Sequence, residues 1–331
     1  MDNSKKTHIH TKAAVKRLLK ALLFVLIFVI INQGIGFLFM ERQMSRSRTG
    51  TIDRQFHEQE KNIDILAMGD SHMATGFDPR VFKDKKAFNF ALYGENYIYN
   101  YYKLKYILER NPHIRTILLP IDLHSFSSWR ADRFLHHFYW VKYINYWEIG
   151  RYKGELLKFV SMYINGRFFP YKGEFETMFA LPPQKSRDRK VKMPDIFQGF
   201  VIKTETFRFN RQKQARQRVR LHFGKHRYYD QELAYYFKKI LALCAEKEVH
   251  LVLVKFPVSK IYFRLVSEKV PVKALYEKVQ SMIAPYGNIS VFDYQDYFFK
   301  DDVSVFDDPD HLNHVGARLF SEEIRRRIKE G

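Results

Sequence analysis

Residues 63–72 read Ile63-Asp64-Ile65-Leu66-Ala67-Met68-Gly69-Asp70-Ser71-His72, a mostly apolar run that stops at Gly-Asp-Ser-His. A short apolar run closed by a turn signal suits a strand buried on both faces, as parallel strands are. The pattern predicts a strand over 63–68, a sharp turn that Gly69 permits, and a helix starting at Ser71 or just after it. In open α/β sheets, ligands bind beyond the carboxyl ends of such strands. Ser71 would then stand at the sheet edge beside helix N-terminal amides that can stabilise an oxyanion. A plain turn or N-cap serine is the other reading of the same residue.

The far end of the chain supplies a chemical complement. Asp307-Asp308-Pro309-Asp310-His311-Leu312-Asn313-His314 comes shortly before an amphipathic helix expected over 315–329. A serine hydroxyl is a poor nucleophile until a base takes its proton, and the base needs a partner to orient its ring. Asp308 and His311, three residues apart on one loop, could supply both. A metal cluster of Asp308, Asp310, His311 and His314 competes for the same residues. The His-x-x-His spacing is awkward for two ligands on one helical face, and no third histidine is fixed. His72 reads as a pocket or helix-start residue.

The Gly-Asp-Ser block near the start and the Asp-x-x-His block near the end together resemble the SGNH (GDSL-like) hydrolase superfamily. The resemblance implies an α/β fold, a flavodoxin-like three-layer sandwich around a parallel sheet of about five strands. It makes Ser71 the nucleophile, His311 the general base and Asp308 its orienter. It also implies a second block whose glycine amide joins an oxyanion hole. Gly94 is the best match, with Asn96 or Asn89 as side-chain donors. The Gly-x-Asn-Asp block of many members is missing. Asp122-Leu123-His124 ends the third strand instead, where Asp122 and His124 either line the site or form a satisfied strand-end pair. No cofactor and no metal is expected.

Regular αβ alternation is expected over 63–124 and 230–331. Strands fall near 86–94, 114–121, 250–256 and 289–292, with helices over 97–110, 230–249 and 272–284. Ser125–Tyr229 breaks the rhythm. It is aromatic (Trp129, Trp140, Trp147), then proline-bearing (Pro170, Pro182, Pro183, Pro194), then basic, and reads as an insertion or cap. The single cysteine, Cys244, lies in an apolar helical pattern, which excludes an internal disulfide framework and a cysteine-based zinc cluster.

No charge falls between Lys20 and Glu41, and these 20 uncharged residues match the hydrocarbon thickness of a bilayer. Lys5, Lys6, Lys12, Lys16, Arg17 and Lys20 precede the run, so the positive-inside rule keeps the N-terminus in the cytoplasm. The expected layout is a cytoplasmic tail over 1–20, an anchor over 21–40, a stalk or first helix over 41–62 and an extracytoplasmic remainder. A cleaved signal peptide ending at Gly34-Ile35-Gly36 is the rival, opposed by the apolar continuation through Phe37, Leu38 and Phe39.

The formal net charge is +20, and Lys185–Arg227 alone holds 14 basic residues against 3 acidic ones. Such a run suggests an anionic partner: lipid head groups, an acidic polysaccharide or a teichoic-type polymer. The topology argues against nucleic acid. Anchor and motif blocks together resemble the membrane-anchored SGNH-like proteins of cell-surface polymer acylation, those of exopolysaccharide O-acetylation and teichoic-acid D-alanylation. That resemblance implies an acyltransferase or esterase on an envelope polysaccharide at a bacterial cytoplasmic membrane, working with a multi-pass membrane O-acyltransferase. Two alternatives stand beside it: a non-catalytic accessory protein that binds an anionic polymer or membrane partner, and a lipid-directed esterase.

Overall fold

The computed structural model describes residues 3–131, 137–171, 195–295, 299 and 302–330. Its strands, in chain order, are β1 (Ile65–Ala67), β2 (Ala87–Asn89), β3 (Thr116–Pro120), β4 (Ile196–Phe197), β5 (Phe200–Val201), β6 (His250–Lys255) and β7 (Ile289–Asp293). Five of them form one parallel sheet ordered β2-β1-β3-β6-β7, and β4 and β5 form a separate antiparallel hairpin. Leaving the hairpin aside, that is the 2-1-3-4-5 order of flavodoxin-like folds, whose switch point lies between the first and third strands. The expected α/β class is therefore what forms. Every residue of β1 and β3 is buried, as a sheet covered on both faces requires.

The strand before the serine is shorter than its apolar run. Ladder pairing of β1 spans only Ile65–Ala67, yet Met68 still donates its N–H to Leu118 O at 2.9 Å. Likewise β2 stops at Asn89, not at Gly94. Beyond it Phe90 N–H bonds Ala67 O at 2.7 Å and Leu92 N–H bonds Gly69 O at 3.1 Å, so this segment tracks β1 to its end without regular pairing. That detour brings the Gly94 turn beside the serine turn.

Helix signals translate closely. Asn96 caps the helix Tyr97–Arg110, and Asn111 closes it. Asp230 caps Gln231–Glu246, which packs on Tyr97–Arg110. Val272–Ile283 and His314–Glu330 complete the set. Several elements had no clear signal, the helices Tyr146–Lys153 and Leu156–Phe168 among them. Lys260–Ser267 follows Pro257 after only two residues, started by the Ser259 cap. Arg211–Phe223 lies within the basic run, and the hairpin's Gln198 O accepts Asn89 N–H at 2.9 Å on the β2 edge.

Two compact units divide the chain. One contains Met1–Ser45, His136–Val141 and Asn145–Arg189. Its helix Asn3–Arg46 is, over Val15–Arg46, long and apolar enough to cross a membrane. The Asn32 side chain on that helix donates to Phe168 O at 2.7 Å, so the polar group in the apolar run is satisfied within the unit. Pro182, Pro183, Pro194 and residues 185–194 of the basic run lie outside the described residues.

The other unit, Arg46–Leu135, Lys142–Ile144 and Lys190–Gly331, contains the sheet. Residues 41–62, expected as a stalk or first helix, include the helix Arg48–Gln59. Its Ile52 and Phe56 are buried, with Phe56 stacked on Phe90 at 4.2 Å.

Gly69 fixes the turn. Its φ is +133°, and a Cβ there would sit 2.4 Å from Pro120 Cδ. Both the conformation and the space exclude a side chain. Gly69→Ala is therefore expected to cost about 2 kcal/mol or more in a denaturant titration of the folded chain.

Candidate active site

Asp70, Ser71 and His72 emerge together where β1 ends. Asp70 caps the short helix Ser71–Gly76, its Oδ1 accepting the His72 N–H at 2.9 Å. Ser71 is half-buried and His72 is fully enclosed. From the far end of the chain, His311 brings Nε2 to 2.8 Å from Ser71 Oγ. Its Nδ1 faces Asp308 Oδ1 at 2.9 Å and Oδ2 at 3.0 Å. With Nδ1 protonated by that partnership, Nε2 offers its lone pair to the serine hydroxyl. The structure thus brings Ser71, His311 and Asp308 into one connected arrangement across 240 residues of sequence separation.

Asp308 is itself held. Oδ1 accepts the N–H groups of Asp310 at 3.1 Å and His311 at 3.0 Å, and Oδ2 pairs with Arg218 Nη2 at 2.5 Å. Burial alone would lower the basicity of His311. Asp308 first and Asp310 second outweigh that and push its pKa up to about 9.

Beneath this trio lies a layer of charge that the motifs did not announce. Asp310 Oδ1 sits 3.3 Å from His311 Nδ1 and 3.0 Å from Arg218 Nε. His72 lies between Asp122 Oδ2, 2.8 Å from Nδ1, and Asp310 Oδ2, 3.3 Å from Nε2. Burial disfavours charge on His72, but Asp122 and then Asp310 raise its pKa well above the usual value. On the other side, Asp70 Oδ2 pairs with Arg130 at 3.0 Å and His124 at 3.2 Å. Burial pushes the Asp70 carboxyl up, and Arg130 followed by His124 holds it well below the ordinary carboxylate range. His124 and His222 stack at 4.6 Å, and burial depresses both. They are the neutral members of the cluster.

The remaining sequence-derived residues have other tasks here. The Asn89 amide donates to Met73 O at 2.7 Å and Phe77 O at 2.8 Å, clamping the helix behind the serine. The Asn96 carbonyl oxygen caps its helix, and its amide donates to Arg130 O at 2.7 Å. Both amides are thus engaged with backbone carbonyls. Gly94 has φ +80° in the turn next to the serine. Asp122 accepts the Phe256 N–H at 2.8 Å besides facing His72, so it is an acceptor and no donor to an oxyanion. Of the residues in the metal alternative, His314 points elsewhere, its Nδ1 2.9 Å from Lys203 O.

Two triplets, Asp70/His72/His124 and His72/Asp310/His311, have ligand-type atoms within 4.8 Å of one another. Arg130 already lies against the first and Arg218 against the second, so each has a resident cation. Arg130, Arg218 and His222 were missed by sequence reasoning. Tyr93 was missed as well: among the described residues its buried hydroxyl has no hydrogen-bond partner, and burial raises its pKa, with Lys203, Arg48, Asp307 and Asp308 around it.

No family model and no curated protein matches the chain. Among solved structures it is similar to a Streptococcus pneumonia protein described as a "putative platelet activating factor", at 12% identity and TM-score 0.43, covering 89% of this chain and 99% of that one. A Bacteroides fragilis "putative acylhydrolase" matches at 8% identity and TM-score 0.40, with 84% and 95% covered. A "putative lipolytic protein of G-D-S-L family" from Desulfitobacterium hafniense matches at 11% and 0.34, with 80% and 99% covered. These identities transfer no activity to this chain.

Asp70 and Arg130 are a buried pair, so removing one partner strands the other. Arg130→Met is expected to cost about 3–5 kcal/mol at neutral pH. Because the folded pKa of Asp70 is depressed, its contribution is present above the ordinary carboxylate range and is lost as pH falls through the folded value. The stability gap between wild type and Arg130→Met should therefore shrink below about pH 4, as urea melts at stepped pH would show.

Proposed function

We propose that this chain is a serine acyltransferase or esterase of the SGNH type, acting on an envelope polymer from a membrane-anchored position. The observation that carries the reading is the contact of His311 Nε2 with Ser71 Oγ at 2.8 Å, with Asp308 on the opposite ring nitrogen. His311 takes the Ser71 proton as the oxygen attacks an acyl carbonyl. It returns that proton to the leaving group as the acyl-serine forms. It then deprotonates the acceptor, a sugar hydroxyl or water, whose oxygen bonds the acyl carbon as the bond to Ser71 Oγ breaks, and His311 returns that proton to Ser71. Transfer and hydrolysis share the intermediate and differ only in the acceptor. The turn holding Gly94 is next to the serine turn, which favours its amide for the developing oxyanion.

The anionic acceptor is supported by charge. A cleft of about 730 Å³ is lined by Trp129, by the four cations Arg216, Arg220, Lys225 and Lys269, and by one acidic residue, Glu268, among others. Among the described residues none of these four cations has an acidic partner, whereas Arg218 on the same helix pairs with Asp308. Guanidinium forks suit carboxylate or phosphate groups, and a tryptophan face suits a sugar ring. The apolar helix over Val15–Arg46 supports the anchored placement, with the basic N-terminal tail on the cytoplasmic side.

Fluorophosphonate labelling of the detergent-solubilised full chain, read by intact mass, is expected to give one adduct. Ser71→Ala should abolish it, and His311→Ala should slow it by about 10²-fold or more. A folded wild type without an adduct would instead favour the accessory-protein reading.

Only neutral His311 accepts a proton. With its pKa near 9, the labelling rate of wild type should climb from pH 7 and level off above about pH 9. Retention on a polyuronate such as alginate should fall several-fold in Arg216→Ala/Arg220→Ala. Wild-type retention should weaken as salt rises toward the molar range, where screening extends only about 3 Å.

A further inference from the structure

Behind the triad, contacts continue inward in a line that the acyl-transfer chemistry does not require. Asp122, two residues beyond β3, meets His72 Nδ1 at 2.8 Å, and His72 Nε2 meets Asp310 Oδ2 at 3.3 Å. Asp310 Oδ1 meets His311 Nδ1 at 3.3 Å, and His311 Nε2 meets Ser71 Oγ at 2.8 Å. Carboxylate and imidazole alternate along this path from the sheet to the nucleophile. The His72 and Asp310 side chains are 1% and 0% exposed, so neither is a solvated surface pair.

Both ring nitrogens of His72 face carboxylate oxygens, which accept and do not donate. Only the imidazolium carries an N–H on each nitrogen, so the geometry itself calls for a charged ring. We infer that His72 and Asp310 form an inner ion pair that positions His311 and sets the charge against which it works as a base. This rests on the serine chemistry proposed above.

The physical need is visible in the charges. Asp308 already orients the His311 ring and faces it with both oxygens. A second carboxylate at the same Nδ1 would, if unopposed, hold the His311 proton more tightly still and leave less of the neutral form that takes a proton from Ser71. The His72 ring lies 4.8 Å from the His311 ring, near enough to oppose that pull. The charged groups around the two rings are Asp70, Asp122, Asp308 and Asp310 on one side, and Arg130, Arg218 and His72 on the other. His124, 4.6 Å from His72, and His222, 3.9 Å from Asp310, face the same space as neutral rings. With His72 charged, the cluster is one negative charge out of balance when His311 is neutral, and balanced when His311 is protonated. Without that cation the imbalance is two, and His311 holds its proton more tightly. Without the Asp310 charge the opposite follows.

Opposite signs make the test. Fluorophosphonate labelling rates would be followed from pH 5 to 10 for the full chain in detergent, beside His72→Gln and Asp310→Asn. Circular dichroism would report folding at each pH. The acid limb of the rate profile should move up by about one unit or more in His72→Gln and down by a similar amount in Asp310→Asn. A merely structural role would lower the rate at every pH and leave the limb in place. Limbs that stay put, or move in the same direction, overturn the inference. If His72→Gln fails to fold, the near-isosteric Asp310→Asn decides alone, by a downward shift or its absence. Wild type that fails to label speaks against the serine reading. Wild type that labels, with unmoved limbs in the variants, speaks against the inner pair only.

Discussion

Four carboxylates, those of Asp70, Asp122, Asp308 and Asp310, converge beneath one serine turn, and unpaired ions in such a place would not stay folded. Arg130, Arg218 and His72 make the burial possible. The partners come from distant parts of the chain. Asp70 and His72 follow β1, Asp122 follows β3, and Asp308 and Asp310 precede the last helix. Arg130 belongs to the short helix Ser128–Ala131, and Arg218 and His222 to Arg211–Phe223. Charge neutrality thus links segments that the sheet alone would leave independent. It also changes the meaning of the irregular stretch between β3 and β6. Both guanidiniums come from it, so at least these portions complete the site instead of merely covering it.

Much of this was legible in the sequence, because the strongest signals are local. The apolar run into Gly69 predicts the buried strand and its turn. The alternation of strands and helices predicts a parallel sheet, and the helices expected from Tyr97 and Asp230 form as Tyr97–Arg110 and Gln231–Glu246. Ser71, Asp308 and His311 stand out because reactive residue types sit at turn and loop positions. Their approach in space follows from the topology: β1 lies at the switch point, and the last loop returns to its carboxyl end.

What stayed hidden depends on tertiary context. Arg218 and His222 occupy one helix four residues apart, but that helix, RQKQARQRVRLHF, buries only Ala215, Val219, His222 and Phe223. So narrow an apolar stripe is lost among the arginines, and nothing local separates the arginine that pairs with Asp308 from those lining the cleft. Asn89 and Asn96 are ambiguous for a related reason. Asparagine beside a turn suits an oxyanion donor and a backbone clamp equally well, and only the positions of the Met73, Phe77 and Arg130 carbonyls decide between them. The segment after β2 escaped because its hydrogen bonds to Ala67 and Gly69 hold an extended path without a regular ladder.

The third strand end shows how these constraints bear on chemistry. Where the family resemblance expects an asparagine that donates to an oxyanion, this chain has Asp122 two residues beyond β3, which can only accept when ionised. An acceptor there would repel a developing oxyanion if it faced it directly. Instead both its oxygens are engaged, one by the Phe256 N–H and one by His72. In the acyl-serine reading the strand end therefore acts through His72, fixing a cation under the base instead of a donor over the oxyanion. On the proposed reading, the turn amides at Ser71 and Gly94 are the candidates for stabilising the oxyanion, and among the described residues the Tyr93 hydroxyl next to Gly94 in sequence has no hydrogen-bond partner. Such a site depends more on the poise of its histidine than on the number of its donors, and residues remote from the substrate would then govern its rate.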